Sequence, residues 1–334
     1  MPTIEAQAPT RVDLAGGTLD IWPVYLMLHA PVTVNLAIAL RTRARVTPAP
    51  RGHFVLRSVD HRTEERFGSL DEVVHDARHR LAAEALRASP CAGAVVETES
   101  GVPPGSGLGG SSSLAVCLLA ALSGHSGAAA MRHGLSVLAS NMEGRVIRVP
   151  PGTQDHLAAA FGGLSAWHWG LHGFRREPLR TDPRWLARHL VLAYTGVSHS
   201  SALNNWTVVK GFIDGDKAVQ RGFLEVAAAA REVRAALLRR DIEGVAGGME
   251  RDSRARRRLF PGFHTERTLA LSKAARKAGA LGGRPCGAGG GGSLVFVVED
   301  EDGHAAVGGA LRRLDAILLP VEPDLQGVRV RRIP

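Results

Sequence analysis

Residues 94–123, AVVETESGVPPGSGLGGSSSLAVCLLAALS, constrain the fold more than any other part of the chain. They predict a β-branched strand, then a loop rich in glycine and proline, then an apolar helix that three serines open and Gly124 closes. The first amides of a helix are unpaired and lie at the positive end of its dipole, and glycines let a ligand approach the backbone closely. The stretch therefore predicts an anion site, with phosphate as the expected anion.

Two familiar phosphate-binding loops have comparable glycine spacing, and the residues around the glycines argue against both. Gly105-x-Gly107-x-x-Gly110 has the spacing of a dinucleotide-binding loop, but two prolines separate the strand from the first glycine. Residues 123–132 also lack the Asp or Glu that would bind the ribose. No Gly-Lys-Ser/Thr follows the glycines, which excludes a Walker A loop.

Residues 103–112 resemble the Pro-x-x-x-Gly-Leu-Gly-Ser-Ser-Ala motif of the GHMP kinases, the family of galactokinase and the homoserine, mevalonate and phosphomevalonate kinases. Gly110 stands where the family has its first Ser, so Ser111 takes the place of the second. The resemblance implies that the loop binds ATP and that Ser111 helps to hold Mg²⁺. The residues expected at the nucleotide are Pro104, Gly105, Ser106, Gly107, Leu108, Gly109, Gly110, Ser111 and Ser112.

Two acidic residues and one arginine complete the reaction site that the resemblance implies. Residues 152–163 (GTQDHLAAAFGG) place Asp155 where an isolated Asp would usually be a helix N-cap. Asp155 matches the catalytic Asp of galactokinase-like enzymes, in the Gly-x-Gln-Asp-Gln spelling of heptose kinases, with His156 replacing the second Gln. Glu143, which alone would be an ordinary helix-surface residue, matches the family's magnesium ligand. Arg11 is expected near the reacting carboxylate and the γ-phosphate.

Three further segments resemble substrate-binding parts of the family. Residues 9–20 (PTRVDLAGGTLD) would alone predict a plain turn, and an extra Leu19 interrupts the Gly-Gly-Gly-Thr-Asp spelling of heptose-phosphate kinases. Residues 194–201 resemble a substrate-side loop of sugar kinases, and residues 279–296 resemble the C-terminal Gly-Ala-Gly-Gly-Gly-Gly motif. The residues expected to bind the substrate are Gly17, Thr18, Asp20, Ser198, Ser200, Gly289 and Gly290.

The order of predicted strands and helices is irregular, which favours the α+β class over a doubly wound fold. A chain of 334 residues is long enough for two domains. The resemblance implies the two-domain GHMP kinase fold, a ribosomal protein S5 domain 2-like domain followed by a ferredoxin-like α+β domain. We expect the ATP-binding domain over residues 1–180 and the C-terminal domain over residues 181–334. Helices are predicted over residues 69–87 and 204–240, among others.

Composition argues against several other classes of protein. The cysteines, Cys91, Cys117 and Cys286, are odd in number and widely spaced, which favours a reducing cytoplasm and argues against disulfides or a zinc site. We find no signal peptide and no apolar run near the roughly 18 residues that span a membrane. The net charge of +9 suggests nucleic acid, but the basic residues are dispersed and only 5% of residues are aromatic. We expect a monomer or homodimer that binds neither nucleic acid nor membrane.

The resemblance implies an ATP- and Mg²⁺-dependent kinase, nearest to the D-glycero-D-manno-heptose 7-phosphate kinase-like sugar kinases. We expect it to phosphorylate the anomeric C1 hydroxyl of a heptose 7-phosphate or related sugar phosphate. The basic run 251–258, otherwise a solvated helix face, or Arg284 is expected to hold the terminal phosphate. The alternatives are a galactokinase-like kinase for a free hexose, a mevalonate-type GHMP kinase, and a catalytically silent binding protein.

Overall fold

The computed structural model describes residues 2–124, 129–198, 202–260 and 262–333. Its β-strands are β1 (Thr3–Ala15), β2 (Val32–Pro48), β3 (Phe54–Ser58), β4 (Thr63–Phe67), β5 (Ala94–Ser100), β6 (Leu164–Gly170), β7 (Gly173–Pro178), β8 (Leu190–Tyr194), β9 (Gly282–Pro285), β10 (Ser293–Val297), β11 (Ile317–Leu319) and β12 (Arg329–Ile333). Its helices are α1 (Val24–Met27), α2 (Leu70–Asp76), α3 (Arg80–Ala88), α4 (Gly110–Ser123), α5 (Ala129–Ile147), α6 (Gln154–Phe161), α7 (Pro183–Arg188), α8 (Ala202–Ile213), α9 (Lys217–Arg239), α10 (Ile242–Leu259), α11 (Glu266–Lys277) and α12 (Glu301–Arg312).

In the described residues the strands form two sheets. The larger sheet has eight strands in the order β12-β1-β2-β5-β3-β4, and β6 pairs with β2 and β7. The smaller sheet has four antiparallel strands in the order β11-β8-β10-β9. Strand β12 pairs with β1, so that Gln7 lies opposite Arg329, and the segment nearest the end of the sequence therefore belongs to the first sheet.

Helix α4 is the central helix of the first half, as its sequence predicts. It is apolar on every side and packs against β1, β2, α5 and α6. Gly109 precedes it with a φ of 75°, and Gly124 ends it with a φ of 68°. Both conformations are left-handed, which glycine adopts without the steric strain that other residues have there, so these residues fix where the helix begins and ends.

Two helices that the sequence predicts as continuous are broken, so both predictions were wrong. The segment 69–87 divides into α2 and α3 because Glu65 accepts hydrogen bonds from the backbone nitrogens of Arg78 and His79. The segment 204–240 divides into α8 and α9 at Gly215, whose φ is 85°. Asp216 then caps α9 by accepting from the nitrogens of residues 218 and 219.

A continuous apolar core connects the two sheets. It includes Val12 and Leu36 from the first sheet, Val233 from α9 and Val295 from the second sheet. The predicted α+β class is confirmed, and the loops at the junction of the two halves are held by this shared core. No helix in the described residues is long and apolar enough to cross a membrane.

Candidate active site

A cavity of about 620 Å³ lies at the junction of the two halves of the chain. The loop that precedes α4 lines it together with the start of α6 and the glycine-rich segment 286–291. One further group of lining residues, which we call the turn side, comes from the turn after β1 and from α10. A second group, the α3 side, comes from β3, α3 and α4, and its polar members are Ser58, Asp60, His61, Arg78, His79 and Arg80.

The loop before α4 exposes its backbone to this cavity. Gly105, Gly107 and Gly109 have φ angles of 67°, 75° and 75°, which other residues adopt only with strain. A Cβ on Gly107 would lie 2.6 Å from the carbonyl oxygen of Cys286, so only glycine lets the loop pack on the glycine-rich segment. All the residues predicted to bind nucleotide line the cavity except Leu108, whose side chain is in the core.

Arg11 and Asp155 meet at the base of the loop. Arg11 donates from Nε and an NH2 nitrogen to the two carboxylate oxygens of Asp155, at 2.7 and 2.6 Å, and also donates to the oxygen of Gly107 at 2.6 Å. Burial raises the pKa of Asp155, and the charge of Asp13 adds to this, while Arg11 opposes it. The bidentate pair fixes the orientation of a carboxylate that faces the cavity.

Glu143 lies beside the first turn of α4 and accepts hydrogen bonds from two of its serines. The hydroxyl of Ser111 donates to one carboxylate oxygen of Glu143, and that of Ser112 donates to the other at 2.7 Å. The Nε2 atom of His156 lies 2.9 Å from the same second oxygen. Burial would raise the pKa of Glu143, but His156 and the two serines outweigh burial and lower it to about 2. Glu143 is therefore an anion at neutral pH.

The turn after β1 places two polar side chains in the cavity. Thr18 has a φ of 74°, and both Thr18 and Asp20 line the cavity on the turn side. Asp20 is buried and accepts from the backbone nitrogen of Gln154 at 2.8 Å. Burial, together with the charges of Asp155 and Asp13, raises the pKa of Asp20 to about 6.

The sequence matches known proteins over most of its length. The profile of the GHMP kinases N terminal domain matches residues 74–163, and that of the GHMP kinases C terminal domain matches residues 233–315. The chain belongs to the GHMP kinase family. It is therefore an ATP-dependent kinase, and the kinase activity that the sequence predicts is confirmed. The residues that match these two profiles include the loop before α4, Glu143 and Asp155 from the first half, and the glycine-rich segment 286–291 from the second.

Similar proteins of this family include sugar kinases. D-glycero-alpha-D-manno-heptose 7-phosphate kinase of Campylobacter jejuni is 26% identical, with all of both chains covered. Galactokinase of Mycobacterium tuberculosis is 27% identical, with 90% of each chain covered. The crystal structure of a D-glycero-D-manno-heptose 1-phosphate kinase from Bacteroides thetaiotaomicron superimposes with a TM-score of 0.78 over 99% of both chains at 22% identity. The predicted resemblance to heptose-phosphate kinases and galactokinases is confirmed.

Two of the three departures of this GHMP kinase from the family's motifs, at Gly110 and Leu19, have a structural explanation. A Cβ on Gly110 would lie 2.9 Å from a methyl carbon of Val102, so a serine at this position would be crowded. The first side-chain hydroxyl of α4 is therefore that of Ser111. The extra Leu19 is fully buried in the core, which leaves Thr18 and Asp20 on either side of it facing the cavity.

The remaining substrate predictions have mixed outcomes. Gly17, Thr18, Asp20 and Gly289 line the cavity. Gly290 instead donates its nitrogen to the oxygen of Phe263 at 2.9 Å, outside the cavity lining. Ser198 is exposed and lies outside the lining as well, and Ser200 lies outside the described residues.

The predicted phosphate clamp is contradicted by the structure for Arg284. This arginine is fully buried, and its guanidinium nitrogens lie 3.1 Å from Asp13 and 2.8 Å from Asp252. Its charge is already matched by two carboxylates, because a buried arginine needs such partners. Of the run 251–258, Arg256 is the residue that lines the active-site cavity.

Sequence reasoning missed a buried charge network that holds the turn after β1. Arg256 lies 3.2 Å from Asp252 and donates to the oxygen of Gly17 and, at 3.2 Å, to the hydroxyl of Thr18. Asp252 accepts from the nitrogen of Gly16 at 3.0 Å. The signal available in the sequence was Asp13 between the apolar residues Val12 and Leu14, since a carboxylate among buried residues requires a partner.

Proposed function

We propose that this GHMP kinase transfers the γ-phosphate of ATP to the anomeric C1 hydroxyl of a heptose 7-phosphate or a related sugar phosphate. The carrying observation is the orientation of Asp155 by Arg11 beside the glycine-rich loop, in a cavity that can hold two substrates. The choice of sugar is supported by the full-length similarity to a heptose 7-phosphate kinase.

In the proposed reaction Asp155 accepts the proton of the attacking hydroxyl. Arg11 occupies one edge of the carboxylate and leaves the rest of it toward the cavity. The raised pKa of Asp155 makes it a better proton acceptor than an exposed carboxylate, while Arg11 keeps the group ionised. An anomeric hydroxyl is more acidic than an ordinary alcohol, so a carboxylate is a sufficient base.

The nucleotide is proposed to bind at the loop before α4. The amide of Ser106 donates to the oxygen of Pro103 at 3.1 Å, and the other backbone amides of residues 105–111, at the positive end of α4, are proposed to donate to the phosphates of the nucleotide. A Mg²⁺ ion fits the anionic Glu143 and the hydroxyl of Ser111, which are oxygen ligands in contact. The ion would neutralise phosphate charge. The described residues hold no group of three or more His, Cys, Asp and Glu, which agrees with a site completed by phosphate oxygens.

The sugar is proposed to bind on the turn side of the cavity. Asp20 has one carboxylate oxygen held by Gln154 and one without a hydrogen-bond partner in the described residues, so it can accept from a sugar hydroxyl. Thr18 lies beside Asp20. Arg256 holds this turn in place by donating to the oxygen of Gly17 and to the hydroxyl of Thr18. Residues 1–180 and 181–334 are proposed as the ATP-binding and C-terminal domains, with β12 of the second segment paired with β1 in the sheet of the first.

The test is an ADP-release assay over heptoses and hexoses, each with and without a terminal phosphate. We expect the phosphorylated heptose to have a kcat/KM well over tenfold above that of the free sugar. Asp155→Asn should retain ATP affinity and lose about 10²–10⁴ in kcat. Equal use of a free hexose would refute the phosphorylated substrate, turnover of mevalonate alone would refute the sugar, and normal turnover by Asp155→Asn would refute the base.

A further inference from the structure

A second cavity, of about 370 Å³, lies between α10 and α11. Both helices pack on β9, and its residues Gly282 and Gly283, with Phe296 beneath, form part of the lining. None of the residues that line it also lines the active-site cavity. The two cavities lie on different faces of α10, since Arg256 lines the first and Arg257 the second. A volume of this size suits a small molecule rather than a polymer.

The walls of this cavity are basic. Arg254 and Arg257 are three residues apart on α10, so that both fall on one face of the helix. Lys273, Arg276 and Lys277 have the corresponding spacing on α11. Two helices therefore present five cations to one space, and the acidic residue of the lining, Glu250, already pairs with Arg276.

Along α10, the arginines without an ion pair in the described residues, Arg254 and Arg257, are those that line the cavity. On the outer faces of α10, Arg251 pairs with Glu232 and Arg258 pairs with Glu225. Within the described part of the chain, the cavity cations that have no ion pair are Arg254, Arg257, Lys273 and Lys277. Like charges that face one another repel, and a bound anion would remove that repulsion. Because the outward-facing Arg251 and Arg258 of α10 have ion-pair partners, a general excess of arginine on this helix does not explain why the arginines at the cavity are unpaired.

The uncharged lining offers further hydrogen-bonding groups. Ser253 and His264 lie 3.1 Å apart, hydroxyl to Nε2, and both line the cavity. The Nδ1 atom of His264 is buried and has no hydrogen-bond partner among the described residues. Burial lowers the pKa of His264, and the charge of Arg257 lowers it further.

We propose that this cavity binds a small phosphate compound that carries several negative charges, at a site separate from the active site. Phosphate oxygens accept several charge-assisted hydrogen bonds at once, and guanidinium and ammonium groups on two facing helices can supply them. A diphosphate has the charge to match the four unpaired cations, whereas a carboxylate would leave most of them unmatched.

The test is calorimetric titration of pyrophosphate at low ionic strength into the wild type, the cavity variant Arg257→Gln/Lys273→Gln and the control Arg188→Gln/Arg231→Gln. The control residues are exposed and have no ion pair in the described residues, so both variants lose the same charge. Any binding of pyrophosphate at the loop before α4 is common to all three proteins and therefore cancels from the comparison. We expect affinity to fall at least about tenfold in the cavity variant and by less than about twofold in the control.

A second cavity variant provides the same test if the first one fails to fold. Arg254→Gln/Lys277→Gln should lose pyrophosphate affinity to a similar extent, and pyrophosphate should raise the Tm of the wild type more than that of either cavity variant. Equal affinities in wild type, cavity variants and control, or no binding to any of them, would overturn the proposal. Kinase activity should persist in every variant, so failure here is distinguishable from failure of the proposed function.

Discussion

Replacing Asp20 by Asn should stabilise the protein at neutral pH while impairing substrate binding. The pKa of Asp20 is raised from 3.8 to about 6, first by burial and then by the charges of Asp155 and Asp13. A shift of about two units corresponds to about 3 kcal/mol of unfavourable free energy when the carboxyl is ionised in the folded state. Asparagine has nearly the same shape and can still accept from Gln154, but it carries no charge.

The sign of the pH dependence follows from the direction of the shift. Below pH 6 the carboxyl of Asp20 becomes protonated in the folded wild type but stays ionised in the unfolded chain. Acid therefore stabilises the wild type relative to Asp20→Asn. The advantage of the variant should therefore be greatest above pH 6 and shrink by about 1.4 kcal/mol per pH unit toward pH 4. Any constant effect of the substitution cancels from this slope.

Urea unfolding of wild type and variant at several pH values between about 4 and 7.5 measures the difference. Asp60→Asn is the matched control, since Asp60 also accepts from one backbone nitrogen, that of Ser100, but is exposed. We expect the control to change the free energy of unfolding by less than about 0.5 kcal/mol at every pH. A difference between Asp20→Asn and wild type that is flat across the range would refute the electrostatic argument, and an unchanged KM for the sugar would remove Asp20 from the substrate site.

Further predictions follow from the same contacts. Ser111→Ala should weaken Mg²⁺-nucleotide binding, measured by calorimetry with and without the metal, whereas an unchanged affinity and turnover would remove Ser111 from the proposed metal site. Arg284→Gln should lower the free energy of unfolding by about 3–5 kcal/mol, because two buried carboxylates lose their partner. Arg258→Gln, which breaks an exposed pair, should cost no more than about 1 kcal/mol, and equal losses in the two arginine variants would contradict the argument from burial. Gly107→Ala should impair both folding yield and ATP binding, since its Cβ would overlap the oxygen of Cys286, and normal ATP affinity would show that the loop tolerates another conformation.

The parts of the site that can be predicted from the sequence are those whose conformation is set by a short local motif. The loop before α4 is set by glycines that act on their own backbone, so its conformation can be expected without knowing the fold. The meeting of Arg11 and Asp155 joins two distant segments, and only the resemblance to a family implied it. Ser198 shows the limit of that resemblance, since a similar spelling did not bring it to the cavity.

The buried charges could not be predicted because their stability depends on partners far away in the sequence. Arg284 looked like a free cation beside a glycine run, and the two carboxylates that neutralise it come from β1 and α10. The break between α2 and α3 depends on hydrogen bonds to Glu65 of β4, and that between α8 and α9 on the local cap by Asp216. Helix periodicity alone does not reveal such hydrogen bonds.

The pairing of β1 with β12 has a consequence for folding during synthesis. Strand β1 is synthesised before the other elements described above, and the partner for its outer edge, residues 329–333, is synthesised after all of them. Until then the nascent sheet has an open edge, which is a template for pairing with other chains. Chaperone dependence and aggregation of nascent chains should therefore be governed by how quickly residues 329–333 find β1, and a chain cut before Arg329 should bury its core yet remain prone to self-association.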